Sequence, residues 1–227
     1  MNGVAGYRTV CDNVPIKISY PTAHKYMNEI LGLKAIQRRR KPNYEYGEAH
    51  NVFPNLLNRD FTAERINEKW CTNFTYIEKK DRTFRYNCTI IDLHDKSVIA
   101  SITDKNITAE LAIRTLQKAI ESQPGIDTSK LILHSDRGSQ FTSKSFCEFC
   151  ECYNIIRSMS CAGCPYDNAV MERYYGTMKN EWIYLHEYND DLELYDSIDY
   201  FAYFCYNHQR KHSALGRRTP FEARYAL

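Results

Sequence analysis

The sequence predicts an α/β fold with a mixed sheet flanked by helices, and two patterns carry that prediction. Three runs rich in Thr, β-branched and aromatic side chains follow one another at residues 70–77, 86–93 and 97–103, each with the composition of a strand. Beyond them, short apolar runs alternate with helical patterns, giving the order β-β-β-α-β-α-β-α. A meander followed by such alternation builds one five-stranded sheet, part antiparallel and part parallel, with helices on both faces.

The later elements read in order. Thr108 is placed to cap a helix with Leu111, Ala112, Leu116, Ala119 and Ile120 on one face, and Pro124-Gly125 ends it. Residues 131–134 form a short strand entering a polar turn. Residues 143–153 are a helix, 155–159 a strand, and 168–185 and 192–206 two longer helices. Upstream, Tyr20-Pro21 opens a helix with Thr22 as its N-cap, and Gly32 closes it. A basic run, Arg38-Arg39-Arg40-Lys41, follows. The expected organisation is a helical appendage at 1–45, a linker at 46–60, and a core with a C-terminal helical extension at 61–227.

The totals exclude several classes. The 227 residues suit one medium domain with an appendage. No apolar run approaches the roughly 20 residues of a membrane span. There is no signal-peptide pattern, so the expected location is the cytoplasm. Nine cysteines in a chain this long point to reduced thiols rather than a disulfide scaffold. Neither a P-loop nor a dinucleotide fingerprint is present. The net charge of +2 is unevenly spread: residues 1–60 hold nine Lys/Arg against five Asp/Glu, and 205–227 hold five against one. Basic ends around an acidic middle suit a protein that grips a polyanion and holds cations, and also suit ordinary solvated surface.

Two acids stand out. Asp136 follows a strand, in His134-Ser135-Asp136-Arg137-Gly138, at the carboxyl end where ligands collect in open α/β sheets. Glu172 lies in the first turns of the helix after Pro165-Tyr166-Asp167-Asn168-Ala169. Taken singly, each acid reads equally as a solvated carboxylate.

As an ordered set, these motifs resemble a known family. The segment 133–140, then Pro165-Tyr166-Asp167-Asn168-Ala169 and Glu172, is similar to the integrase core of bacterial insertion-sequence transposases of the OrfB type. These carry a DDE triad and are relatives of retroviral integrases. The opening Lys69-Trp70-Cys71-Thr72-Asn73-Phe74-Thr75-Tyr76 also matches, as does the tail Tyr206-Asn207-His208-Gln209-Arg210-Lys211-His212 with Thr219-Pro220. The resemblance covers roughly residues 60–225 and implies an RNase H-like fold. It extends to residues 1–45 as a partial helix-turn-helix-like DNA-binding segment that begins partway, so an upstream piece is expected.

The resemblance implies a polynucleotidyl transferase that cuts and joins DNA with two Mg²⁺ or Mn²⁺ ions held by three carboxylates. The three positions here are Asn73, Asp136 and Glu172. Asn keeps the shape and one oxygen of Asp but loses its charge, so weaker metal binding and a large loss of rate are expected. The alternative is an inactive derivative that binds element ends or regulates active subunits. A nuclease on the same sheet is a further rival, opposed by the matching tail. The expected partners are double-stranded DNA, as element ends and target, and further copies of the chain. Lys179 is the leading DNA contact, two helical turns after Glu172 and on its face. Tyr166, Asn168, Arg210, His212, Arg38, Arg39 and Arg40 are further candidates. Asp92 and His134 are expected to support the site from behind. The pairs Cys147/Cys150 and Cys161/Cys164 have zinc-like spacing, but the first lies on a helix and the second in a loop for which the resemblance implies no metal.

Overall fold

A computed structural model describes residues 6–33 and 51–225. Strands β1 (Lys69–Glu78), β2 (Phe84–Asp92) and β3 (Val98–Asp104) form the antiparallel meander. Strands β4 (Ile132–Ser135) and β5 (Ile156–Met159) add in parallel beyond β1. Among the described residues the sheet has five strands in the order β3-β2-β1-β4-β5, with β1 at its centre. The mixed five-stranded sheet expected from sequence is the one observed.

Alternation along β1 divides its side chains between two cores. Trp70 packs with helices α3 (Ala109–Glu121) and α4 (Lys144–Cys152) on one face. Cys71 and Ile77 pack with α5 (Ala169–Glu181) and α6 (Asp191–Asp199) on the other. Thr108 and Ser143 cap α3 and α4 by accepting from the backbone N–H three residues on. A capping box on Thr219 and Glu222 starts the short α7 (Pro220–Arg224).

Some expectations need correction. The appendage holds two helices, α1 (Tyr7–Asn13) and α2 (Tyr20–His24), the second running on through a π-type segment, Lys25–Ile30. Ser19, not Thr22, caps α2, because its hydroxyl accepts from Thr22 N at 3.3 Å. The helix expected at 168–185 stops at Glu181. Trp182 leaves the helical conformation so that its indole N–H can reach Ser197 Oγ at 2.8 Å and dock on α6. The helix expected at 192–206 is α6 followed by π-type turns over Tyr200–Gln209. Residues 51–60, expected as part of a linker, lie against the core as a strap. Pro54 O accepts from Met159 N at 3.2 Å, Leu56 N donates to Ser158 Oγ at 2.9 Å, and the Phe53 ring covers the Arg157 guanidinium.

Candidate active site

The site forms where the central strand, β4 and α5 meet. The β1–β4 ladder pairs Lys69 with Ile132, Trp70 with Leu133 and Cys71 with His134. Asn73 and Asp136 each follow two residues after the last pair of this ladder, at the same end of it. Asp136 lies just past the end of β4, where the chain leaves the sheet and a carboxylate is free to face a ligand. Its Oδ1 accepts from Gly138 N at 2.9 Å. A Cβ at Gly138 would stand 2.9 Å from that oxygen, so a larger residue there would make the carboxylate turn away. Loss of hydration raises the Asp136 pKa, the Gly138 bond opposing it only in part. The Asp136 charge is also felt by the buried thiol of Cys88 on β2, which pairs with Phe74 on β1.

Helix α5 carries Glu172 and is tied to β1 by two hydrogen bonds. Asn168 Nδ2 donates to Thr72 O at 3.3 Å, and Tyr175 Oη donates to Asn73 O at 2.5 Å. Glu172 lies four residues after the first anchor and three before the second, so all three share one helical stripe. The two anchors tie the helix that carries the exposed Glu172 to Thr72 and Asn73 on β1. Among the described residues neither Asp136 nor Glu172 forms an ion pair. The Asn73 amide oxygen accepts from the neighbouring Phe74 N at 2.7 Å.

Two carboxylates without a cationic partner and one amide oxygen are hard donors suited to Mg²⁺ or Mn²⁺. The raised pKa of Asp136 has the same cause: a carboxylate losing water with no positive charge beside it. The set carries two negative charges, enough to hold one divalent cation but short of the three carboxylates expected for a pair. No group of three or more His, Cys, Asp or Glu side chains placed for a metal occurs among the described residues.

The remaining predicted residues fall in different places. Lys179 lies two turns beyond Glu172, its Nζ 4.2 Å from the centre of the Tyr76 ring. Burial pushes its pKa down to about 8. Tyr166 is 72% exposed beside the start of α5, whereas Asn168 is buried and serves as an anchor to β1. Arg210 pairs with Glu181 at the end of α5. His212 packs edge-on to Tyr206, and burial with the nearby Arg210 charge lowers its pKa to about 4. A neutral ring of this kind brings no charge to a phosphate. Arg38, Arg39 and Arg40 lie outside the described residues.

Asp92 is not beside the site. It pairs with Trp70, three residues before Asn73, roughly 10 Å down the strand. There it accepts from Asn67 N and His94 N at 2.7 and 2.9 Å and meets Arg224 at 3.3 Å, closing α7 onto the core. His134 is buried between β5 and the loop before α5. Asp167 O only accepts, so His134 Nε2 donates to it at 2.9 Å, and Nδ1 accepts from Ser158 Oγ at 2.8 Å. The imidazole, held neutral by burial, thus fixes the loop before α5. Sequence reasoning missed Tyr175 as an anchor, Tyr76 under Lys179, and Arg59. Arg59 reaches the buried Asp167 at 2.7 Å from a left-handed backbone, φ 67°. The spacing from Glu172 to Tyr175, one helical turn, was the one signal available.

The fold is that of integrase catalytic cores. It superposes on the HTLV-2 integrase catalytic core domain in complex with magnesium, dimeric form, with a TM-score of 0.53 and 22% identity, over 70% of this chain and 97% of that one. Against a chain of the simian T-cell lymphotropic virus intasome the TM-score is 0.58 with 18% identity, over 92% and 68% of the two chains. Two models of the integrase core domain match residues 63–165 and 153–220. A putative transposase InsK for insertion sequence element IS150 of Escherichia coli (strain K12) is 33% identical over 205 residues, covering 88% of this chain and 71% of that protein. The insertion element IS600 uncharacterized 31 kDa protein of Shigella sonnei is 33% identical over 186 residues, covering 81% and 67%. The chain belongs to the insertion-sequence transposases with an integrase core domain.

Proposed function

We propose that this chain is a DDE-type polynucleotidyl transferase core that cleaves and joins DNA at the ends of its element, slowed by Asn73 at the first acidic position. The observation that supports this reading is the tie of α5, which carries Glu172, to β1 at Thr72 and Asn73, with Asp136 just past the end of the neighbouring β4. Asp136 and Glu172 hold a divalent cation, with the Asn73 oxygen as a neutral third donor. When bound, the cation supplies Lewis acidity toward a phosphate and the attacking oxygen. Gly138 and Tyr175 keep the donors in place. Lys179 and the exposed Tyr166 face the DNA end, and the appendage at 1–45 adds contacts to it. Joining two ends calls for more than one copy of the chain on DNA, in the cytoplasm. Two charges where the family's triad has three support one firmly held cation rather than two.

The same substitution favours a second reading, an end-binding subunit without catalysis. Strand transfer on element-end DNA with Mn²⁺, comparing this chain with Asn73→Asp, separates the two. Weak joining by this chain that rises in the variant supports a slowed transferase. Joining by the variant alone supports the end-binding reading. No joining by either removes the triad assignment.

A further inference from the structure

Two cysteines in the loop before α5 have a chemistry that the triad does not use. Cys161 and Cys164 bound the sequence Cys161-Ala162-Gly163-Cys164. Cys164 N donates to Cys161 O at 3.2 Å, and Gly163 has φ +71°. This is a β-turn with glycine at the position that calls for a positive φ. Such turns bring their first and last Cα atoms within about 7 Å, which overlaps the span a disulfide bridges. Both thiols are free, Cys161 exposed and Cys164 partly so.

Cys71, Cys88, Cys147 and Cys150 are buried, whereas Cys11, Cys152 and Cys205 are partly or fully exposed but have no second cysteine across a turn among the described residues. Cys164 adjoins the Arg59 side chain, which also pairs with Asp167. Cys161 N donates to Asp167 Oδ2 at 3.0 Å, and Asp167 is the residue that Arg59 and His134 hold. The turn is thus wired to the start of the helix that carries Glu172.

We infer that Cys161 and Cys164 are a dithiol modification site, closing reversibly into an intrachain disulfide by exchange with a small-molecule disulfide. The Cys164 sulfur attacks the small disulfide, giving up its proton and releasing one small thiol. The Cys161 sulfur then attacks the mixed disulfide, forming the Cys161–Cys164 bond and releasing the second small thiol. Two protein S–H groups and one small S–S bond become one protein S–S bond and two small S–H groups, so the small disulfide is reduced by the two electrons the protein gives up. In a reducing compartment such a bond is a sensor rather than a staple.

The test uses the full chain in oxidised and reduced glutathione mixtures, with rapid alkylation and peptide mass spectrometry. The expected result is a peptide holding the Cys161–Cys164 bond, two hydrogens lighter, that returns to the dithiol with dithiothreitol. Cys161→Ser should stop at one glutathione on Cys164, and Cys164→Ser should form no intrachain bond in this turn. Amide exchange at 161–168 should change on oxidation in the parent chain and stay constant in Cys164→Ser. Full alkylation of both cysteines across the mixtures, or a bond from either to a third cysteine, would overturn the inference.

Discussion

The hydroxyl of Tyr175 donates to the main-chain carbonyl of Asn73 at 2.5 Å and lies 3.3 Å from that of Asn87. One phenol on α5 thereby meets the two central strands at the level of the first triad position. It binds the backbone of residue 73 rather than its side chain, so the docking of α5 is independent of whether that residue is Asn or Asp. The buried ring adds packing against Tyr174.

Tyr175→Phe keeps the ring and removes the donor, so the Asn73 carbonyl loses this bond. The expected cost is about 1–3 kcal/mol. Urea unfolding should show a lower midpoint with an unchanged slope. An unchanged midpoint would mean that α5 docks through packing alone.

Asp136 ties stability to pH. Loss of hydration raises its folded-state pKa above the unfolded value. Its contribution is therefore most favourable below the unfolded value and is lost as pH rises through the raised one. Near neutral pH the metal-free protein holds a poorly hydrated carboxylate with no cation beside it. Asp136→Asn keeps an oxygen for Gly138 N–H and removes that charge. It should stabilise the metal-free protein by roughly 1 kcal/mol at pH 7 and less at pH 4. Thermal unfolding in chelator at both pH values checks this, and a lower Tm for the variant at pH 7 counts against it.

Much of this site was legible in the sequence because its positions sit at element ends. A strand running into His134-Ser135-Asp136 and a helix opening just before Glu172 are local patterns, and both elements form where they were expected. The side chains that hold them there were not legible. Tyr175 reads as one more helical aromatic until the carbonyl of Asn73 is seen beneath it. Arg59, in a stretch with no periodic pattern, becomes a brace for Asp167 only through a contact 108 residues away in sequence. Asp92 misled because it ends the strand beside β1. In an antiparallel pair that end lies opposite the start of β1, away from Asp136.

Gly138 can be tested without touching a ligand. The β-carbon of Gly138→Ala would meet Asp136 Oδ1 at 2.9 Å and Gln140 Oε1 at 3.2 Å, so the carboxylate must turn away. In the Asn73→Asp background, Mn²⁺ affinity measured by calorimetry should fall about tenfold, with far-UV circular dichroism unchanged. An undiminished affinity would show that the Gly138 contact does not orient Asp136.

Lys179 gives the proposed DNA contact a pH signature. Its amine sits over Tyr76 with no carboxylate paired to it among the described residues, and burial lowers its pKa to about 8. The folded chain thus holds this proton less tightly than the unfolded one, so the residue's contribution to stability grows as pH rises from about 8 towards the ordinary lysine value. A phosphate at the amine reverses the preference, because it favours the ammonium. Above pH 8, DNA binding must then draw a proton from solvent. The affinity for element-end DNA should be flat below pH 8 and fall above it by up to about tenfold per pH unit. Lys179→Arg, charged throughout, should flatten that fall, and Lys179→Met should bind weakly at every pH. Fluorescence anisotropy at fixed salt between pH 7 and 9.5 reads all three proteins. Parallel pH curves for the parent chain and Lys179→Arg would place the titrating group elsewhere, and Lys179 would then be a packing lysine on the Tyr76 ring rather than a grip on the DNA.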